Sequence, residues 1–170
     1  MSALQLLLLA VLPALVIVAG LKDLTSMKIP NWISGLLILV FFPTALLLGL
    51  TPMEIAIHAG VAVVALLIGM ALFALRFLGG GDVKLMAAAC LWLGAAGSGV
   101  FVLWTALVGG AFCLVLILAR AHLRPYVAAG PDWLFQLMEP RGDIPYGVAI
   151  AIGALIAWPA SPLMTAFLAG

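Results

Sequence analysis

The sequence predicts an all-α integral membrane protein, a bundle of about six transmembrane helices, and three observations support this fold class. Hydrophobic residues make up 67% of the 170 residues and charged residues only 8%, with a mean hydropathy of +1.37. Charge-free windows of membrane-spanning length follow one another along the chain, and the basic residues fall in alternate loops between them. The composition excludes a soluble domain, which needs more polar surface, and a disordered chain, which carries less leucine and valine. We therefore expect the lipid bilayer to surround this chain.

The charge-free windows give the individual spans, because a helix needs about 20 apolar residues to cross the hydrocarbon core. They run over 4–21, 32–50, 55–75, 85–119 and 144–168. The fourth window is too long for one crossing, and its glycine-rich run Gly94–Gly99 is the natural place for a turn, since glycine tolerates the necessary dihedral angles. A turn there gives spans over 83–96 and 99–119. The sequence thus predicts six spans in one membrane-embedded domain of residues 1–170.

The positions of the basic residues predict the orientation of the bundle. All seven lie in the first, third and fifth loops: Lys22, Lys28, Arg76, Lys84, Arg120, Arg124 and Arg141. Because positively charged loops stay in the cytoplasm, these loops are predicted to be cytoplasmic and both termini outside. The first window has no basic residue before it, so we interpret it as a span and not as a signal peptide. The fifth loop mixes aromatic with basic residues, which is typical of a connector in the headgroup layer.

Charge and metal-ligand content exclude several classes of function. A net charge of +1 provides no basic field for nucleic acid. Cys90 and Cys113 lie in apolar stretches without a Cys-x-x-Cys pair, which argues against a disulfide framework or a thiolate zinc site. His58 and His122 have no metal-ligating partner at useful spacing and are interpreted as interfacial residues. We predict neither a metal nor a cofactor.

Two acidic residues are candidates for chemistry. Asp23 ends the first span, and Asp82 follows Gly79-Gly80-Gly81 at the start of the fourth. Both therefore lie at the predicted cytoplasmic ends of helices. Three consecutive glycines let the backbone bend sharply and bring a carboxylate close to another segment. We expect the two side chains to meet.

Two carboxylates without a metal or a nucleophile suit the activation of water. One ionised aspartate takes a proton from water while its protonated partner polarises the scissile carbonyl, and the pair shares one proton because two like charges at short distance cannot both ionise cheaply. Two alternatives remain open from the residues alone. Asp23 and Asp82 are each close in sequence to a lysine, Lys22 and Lys84, and such interfacial ion pairs contribute little. In a small transporter or scaffold, Asp82 would instead bind a proton or cation, although no acid lies deep within a span.

Three sequence motifs favour the carboxylate pair over these two alternatives. They are Asp23-Leu-Thr-Ser-Met-Lys-Ile-Pro-Asn31, Gly79-Gly-Gly-Asp82-Val-Lys84 and Ile144-Pro-Tyr-Gly147. In this order, between hydrophobic spans, they resemble the type IV prepilin peptidases, which are membrane aspartic peptidases with a Gly-x-Gly-Asp element. The motifs extend from the first span to the last, so the resemblance covers essentially the whole chain.

The resemblance implies an aspartic endopeptidase that removes the short basic leader of prepilins or pseudopilins at the cytoplasmic face of the bacterial inner membrane. Asp23 and Asp82 would be the catalytic pair, without a metal or cofactor. The expected partners are the substrate helix, the bilayer and the pilus assembly machinery. Other motif residues would shape the site: Gly79, Gly81, Lys28, Pro30, Asn31, Lys84, Pro145, Tyr146 and Gly147.

The chain departs from the longer members of the resembling family. Those carry an amino-terminal cytoplasmic region with paired cysteines and also methylate the new pilin amino terminus, whereas here the first motif begins at residue 23. We therefore expect no N-methylation, and the chain looks like the compact form associated with Flp or Tad pili. Two supporting residues have separate expectations. Asn31 is predicted to cap the second helix, and Lys84 either tunes the charge of Asp82 or is an interfacial lysine.

Overall fold

The computed structural model describes residues 3–122, 131–140 and 142–169, and every regular element in these ranges is helical. The prediction of an all-α membrane bundle is confirmed. The elements are α1 over Ala3–Ser26, α2 over Asn31–Leu47, α3 over Pro52–Ala74, α4 over 80–93, α5 over 95–122, α6 over Asp132–Leu137, α7 over Gly147–Ala157 and α8 over Pro162–Ala169, with a 3-10 turn over Trp158–Ala160 between the last two.

Within the described residues, four helical stretches are long and apolar enough to cross a membrane: Ala3–Ser26, Pro52–Ala74, Gly80–His122 and Gly147–Leu168. The helix α2 is a shorter apolar helix. In α3 only His58 and Gly69 are buried, and many of its apolar side chains are exposed, including Val63, Val64, Leu67 and Ile68. An apolar helix that leaves so many large side chains exposed is stable in a bilayer, where lipid chains cover its outer face.

Helix α1 has a local interruption that its sequence explains. It consists of Ala3–Leu9 and Val11–Ser26, joined at Ala10. Pro13 lacks the N–H that would donate to the carbonyl of Leu9, so the regular hydrogen-bond ladder is broken one turn before the proline. The helix continues in nearly the same conformation, because Ala10 has φ −70° and ψ −13°.

The long helical stretch folds back on itself at Gly94, where φ is 60° and ψ is −171°. This backbone conformation is open to glycine and costly for other residues. Asp82, before the break, and Cys113, after it, line the same cavity, so α4 and α5 lie side by side in opposite directions. The fold-back is as predicted, but the predicted ends at 96 and 99 are wrong. Gly94 alone makes the turn, and residues 95–99 are already helical.

His58 stabilises this reversal, which corrects its interpretation as an interfacial residue. Its side chain is only 3% exposed, and Nδ1 lies 2.7 Å from the carbonyl oxygen of Leu91. Because a carbonyl only accepts, Nδ1 carries the proton and donates it. Leu91 is in the last turn of α4, where carbonyls lose their helical donors. The imidazole therefore caps the end of α4 beside Gly94.

Helix α4 forms the centre of the bundle. Most of its side chains from Leu85 onward are buried, and Trp92 is fully enclosed. The indole N–H of Trp92 donates to the carbonyl of Leu37 in α2 at 2.9 Å, and its ring lies 6.0 Å from those of both Phe41 and Trp158. Neighbours on several sides thus fix α4, and Asp82 lies near its first residue.

The fifth loop is more structured than predicted. Within the described part, α6 forms a short helix that packs against α1, and Trp133 and Phe135 are exposed as expected of an interfacial segment. Arg120 was expected among the loop charges; instead it is 9% exposed in the last turn of α5. The expectations for 123–130 and for Arg141 fall outside the described residues.

Candidate active site

One cavity of about 900 Å³ lies where α1 ends and α4 begins, and both aspartates line it. We call this the site end of the bundle. Its walls come from the ends of α1 and α3, the start of α4, the middle of α5 and the segment 142–146 that precedes α7. Five separate stretches of the chain therefore contribute to one concave surface.

Asp23 is held in place by the third motif. It lies in the last turns of α1, its side chain is 6% exposed, and its Oδ2 accepts a hydrogen bond from the backbone N–H of Gly147 at 2.7 Å. A Cβ atom at position 147 would lie 2.9 Å from both Cβ and Oδ2 of Asp23. Only glycine leaves room for this approach. The helix ends just after Asp23, because Met27 has a left-handed φ of 52° and donates its N–H to the Asp23 carbonyl.

Asp82 is held by its own glycine-rich motif. Its Oδ2 accepts the backbone N–H of Gly79 at 3.0 Å, three residues earlier. This is the return half of a capping box, in which a side chain at the third helical position bonds the N–H of the cap residue. The helix dipole also favours a carboxylate in the first turn. A Cβ at Gly81 would lie 3.1 Å from Cβ of Ile29, so this glycine permits close contact between the first two motifs.

The two carboxylates interact electrostatically across the cavity. Neither pairs with a lysine or arginine among the described residues, so the alternative of two interfacial ion pairs, Asp23 with Lys22 and Asp82 with Lys84, is wrong there. Each carboxylate instead has one oxygen fixed by a backbone N–H. Two partly buried acids held in this way, without cationic partners, can together supply an acid and a base.

Family comparison agrees with this geometry. The model of the type IV leader peptidase family matches residues 10–114, more than half of the chain. The chain belongs to the type IV leader peptidase family. The matched range includes Asp23 and Asp82 with the glycines before the latter, whereas the third motif lies beyond it. The comparisons with curated proteins and with solved structures gave no match.

As a member of this family, the protein is a membrane-embedded peptidase, and the remaining motif residues lie at the same end. Pro145 and Tyr146 line the cavity beside Gly147. The Tyr146 hydroxyl donates to the Thr105 carbonyl at 3.4 Å, and a Cβ at Gly109 would lie 2.5 Å from the tyrosine ring. Tyr146 lies just before the last membrane-spanning helix. Burial, then the nearby Asp82 carboxylate and the Cys113 thiol, raise the pKa of this phenol above its usual range, so it stays neutral.

Lys84 and Asn31 contact each other and not the aspartates. The ammonium group of Lys84 donates to Oδ1 of Asn31 at 3.0 Å, which ties α4 to α2. The prediction that Asn31 caps the second helix is wrong, because Asn31 is already the first helical residue and Pro30 occupies the cap position. The φ of −64° at Pro30 is the value that the proline ring imposes. Lys28 is exposed and does not line the cavity.

Sequence reasoning missed several residues that line the site. Met27, Arg76, Phe77 and Cys113 all face the cavity. Met27 and Arg76 are also the non-glycine residues with left-handed φ among those described. Met27 lies within the first motif but was given no role there, and Arg76 lies outside all three motifs. Helix ends of this kind usually use glycine, so the residue types at these two positions gave no signal of the left-handed conformation.

No three histidine, cysteine, aspartate or glutamate side chains gather closely enough to hold a metal ion within residues 3–122, 131–140 and 142–169.

Proposed function

We propose that this peptidase cleaves the amino-terminal leader of prepilins or pseudopilins at the cytoplasmic face of the bacterial inner membrane, with Asp23 and Asp82 as its catalytic pair. The observation that carries the proposal is the shared cavity, in which each carboxylate has Oδ2 bound by a glycine N–H. Among the described residues, Oδ1 of each has no hydrogen-bond partner and is available for water and substrate.

The reaction follows from two carboxylates that share one proton. The ionised aspartate removes a proton from a water molecule, whose oxygen bonds to the scissile carbonyl carbon. The protonated aspartate donates a hydrogen bond, and then its proton, to the carbonyl oxygen. Collapse of the tetrahedral intermediate then breaks the C–N bond. As it does, the protonated aspartate gives its proton to the leaving amine, and the other aspartate takes a proton from a hydroxyl of the intermediate, which becomes the new carboxylic acid. The pair ends with one proton again, so the cycle needs no other reactant.

The cavity suits a peptide that has left its helical conformation. An amide within a regular helix has its N–H and C=O engaged in the hydrogen-bond ladder, so cleavage needs an unwound segment beside the carboxylates. Phe73 and Phe77 provide apolar contact at the cavity wall, and the exposed apolar surface of α3 continues from Phe73 into the bilayer. A substrate helix in the membrane has an apolar path to the site.

The client belongs, in our proposal, to the Flp or Tad class of small pilins, and the pilus assembly machinery is the downstream partner. This extends the resemblance of the three sequence motifs to that class of pilins. We also propose that the chain does not methylate the new amino terminus. Mass spectrometry of the processed pilin tests this directly, since a methyl group on the amino terminus would contradict it.

Substitution of the aspartates tests the catalytic pair. Co-expression with a prepilin, followed by the mobility of the pilin on a gel, should show no cleavage by Asp23→Asn or Asp82→Asn, because an amide cannot act as the ionised base. Asp132→Asn is the matched control, since Asp132 is exposed at the start of α6 and does not line the cavity. Full cleavage by either of the first two variants would contradict the mechanism.

The same experiment separates the peptidase from the transporter alternative. A transporter that uses Asp82 as a proton or cation site leaves the prepilin intact in the wild-type protein. Asp82 lies in the first turn of its helix and not at mid-span, whereas transport sites usually lie near the middle of the membrane.

A further inference from the structure

The end of α5 contains a buried arginine for which the proposed mechanism has no direct use. Arg120 is 9% exposed, although it carries a full positive charge. It lies outside the matched range of the family model, which ends at residue 114. A buried guanidinium is costly unless its N–H groups are bonded, so its partners indicate what it does.

All three nitrogens of Arg120 donate to backbone carbonyls of one short segment. Nε bonds the carbonyl of Leu137 at 2.8 Å, Nη1 that of Gly142 at 2.9 Å and Nη2 that of Asp143 at 2.7 Å. The planar guanidinium has a fixed fork of donors, which bonds several acceptors in a defined geometry. The carbonyls at the end of α6 and in the last turn of α5 also carry partial negative charge, which favours the cation there.

The segment that Arg120 binds leads directly into the active site. Gly142, Asp143, Ile144, Pro145 and Tyr146 line the cavity. The next residue, Gly147, donates the N–H that fixes Oδ2 of Asp23. The position of this N–H therefore depends on a segment whose near end is fixed by the guanidinium.

We propose that Arg120 is a positioning residue, which holds the backbone at Leu137, Gly142 and Asp143 so that Gly147 fixes the carboxylate of Asp23 for reaction. Arg120 touches neither the substrate nor the aspartate. Its effect passes through the backbone from Asp143 to Gly147. This inference rests on the proposed function, because it assigns its role through Asp23.

The variants are chosen so that the protein still folds. Arg120→Ala leaves three carbonyls without donors and is expected to destabilise the bundle broadly. Arg120→Lys keeps the charge and most of the side-chain volume, and Arg120→Gln keeps a donor without the charge. Neither reproduces the three-pronged geometry. His122→Gln is the matched control, because His122 lies two residues further along α5, is exposed, and among the described residues bonds the carbonyl of Leu118 in its own helix.

The kinetic signature separates positioning from damage to substrate binding. Purified Arg120→Lys and Arg120→Gln, assayed on a prepilin in detergent or liposomes, should lose kcat by about tenfold to a hundredfold, as expected for an ångström-scale displacement of a reacting group. The KM of both Arg120 variants should stay within about twofold of the wild-type value, because Arg120 does not itself line the cavity. His122→Gln should match the wild type in both kcat and KM. Unchanged kcat in both Arg120 variants, or a change confined to KM, would overturn the inference.

A double variant tests the route through Gly147. Gly147→Ala places a Cβ against Asp23 and disturbs the same carboxylate from the other side. If Arg120 acts through Gly147, the double variant Arg120→Lys with Gly147→Ala should have a kcat well above the value expected from multiplying the two separate fold-losses in kcat. Losses that multiply would show that Arg120 acts elsewhere.

Failure of this inference differs from failure of the proposed function. Cleavage of the prepilin by Asp23→Asn would contradict the assignment of Asp23 and Asp82 as the catalytic pair. An inactive Asp23→Asn together with fully active Arg120 variants would leave the pair intact and reject only the positioning role.

Discussion

Backbone N–H groups, and not cationic side chains, fix the two aspartates. Gly147 donates to Asp23 and Gly79 donates to Asp82. A lysine or arginine partner would keep both carboxylates ionised, and a dyad needs one of them protonated. A single N–H bond orients the group and leaves its other oxygen available. Both glycines allow this close approach, because a Cβ at either position would lie 2.9 Å from the carboxylate oxygen. The restriction is tighter at Gly147, where the Cβ would also lie 2.9 Å from Cβ of Asp23.

The first prediction at the residue scale concerns two adjacent glycines in α5. Gly109→Ala should lower cleavage several-fold, because its Cβ would lie 2.5 Å from the ring of Tyr146 and must displace that side chain from the cavity wall. Gly110→Ala should cleave like the wild type, since a Cβ there has no atom within 4 Å. Initial rates with a prepilin measure both variants. Equal rates for the two would show that the position of Tyr146 does not matter.

The sequence identified the aspartates but not every contact around them. Asp23 and Asp82 could be paired in advance because hydropathy and charge place the end of the first span and the start of the fourth on the same side of the membrane. The bond from Gly147 to Asp23 joins residues 124 apart in sequence, and it depends on the packing of α7 against α1. The role of Arg120 was hidden for the same reason, since its partners are backbone carbonyls, which look alike in every sequence.

Among the helices, the reversal at Gly94 distinguishes what local sequence determines from what packing determines. The glycine-rich run from Gly94 to Gly99 indicated a turn, but it contains three glycines. The turn forms at the first of them because His58 bonds the carbonyl of Leu91 and packs against Gly94. Gly97 lies in α5. A Cβ at this position would lie 3.1 Å from Cβ of Leu93 and 3.7 Å from the carbonyl oxygen of Ala157, so this glycine serves close packing and not the turn. A tertiary contact therefore selects the turn residue.

This difference predicts opposite effects of alanine within the run. Gly94→Ala should destabilise the protein, because a positive φ with an extended ψ, a conformation nearly restricted to glycine, costs about 1–3 kcal/mol, and its Cβ would also lie 2.7 Å from the His58 ring. Gly99→Ala should leave stability unchanged or slightly higher, since the position is helical and open. Thermal unfolding in detergent should show a fall in Tm of at least about 3 °C for Gly94→Ala only. A larger fall for Gly99→Ala would place the turn elsewhere.

On the scale of the whole molecule, the charge distribution separates two ends. The site end carries Lys22, Lys28, Arg76, Lys84 and Arg120, whereas the turns at the far end, around Gly49 and Gly94, carry no basic residue. This arrangement is the physical basis of the positive-inside prediction. Asp23 and Asp82 can share a cavity only if the end of α1 and the start of α4 lie on the same side of the bilayer. The charge distribution predicts this arrangement as well.

Cysteine labelling tests this topology in the membrane. In a background with Cys90→Ala and Cys113→Ala, the variants Ser26→Cys and Leu75→Cys introduce thiols at exposed positions of the site end. The Met53→Cys variant introduces one at an exposed position of the far end.

A membrane-impermeant maleimide should react with the first two thiols only in inside-out vesicles, and with the third only in spheroplasts. The reason is that moving the five basic residues of the site end to the outer face would oppose the preference of such loops for the cytoplasm. Labelling of Ser26→Cys and Leu75→Cys from opposite faces would place the ends of α1 and α3 on different sides of the bilayer. Asp23 and Asp82 would then not share a cavity, and neither the paired-carboxylate mechanism nor the role of Arg120 would remain.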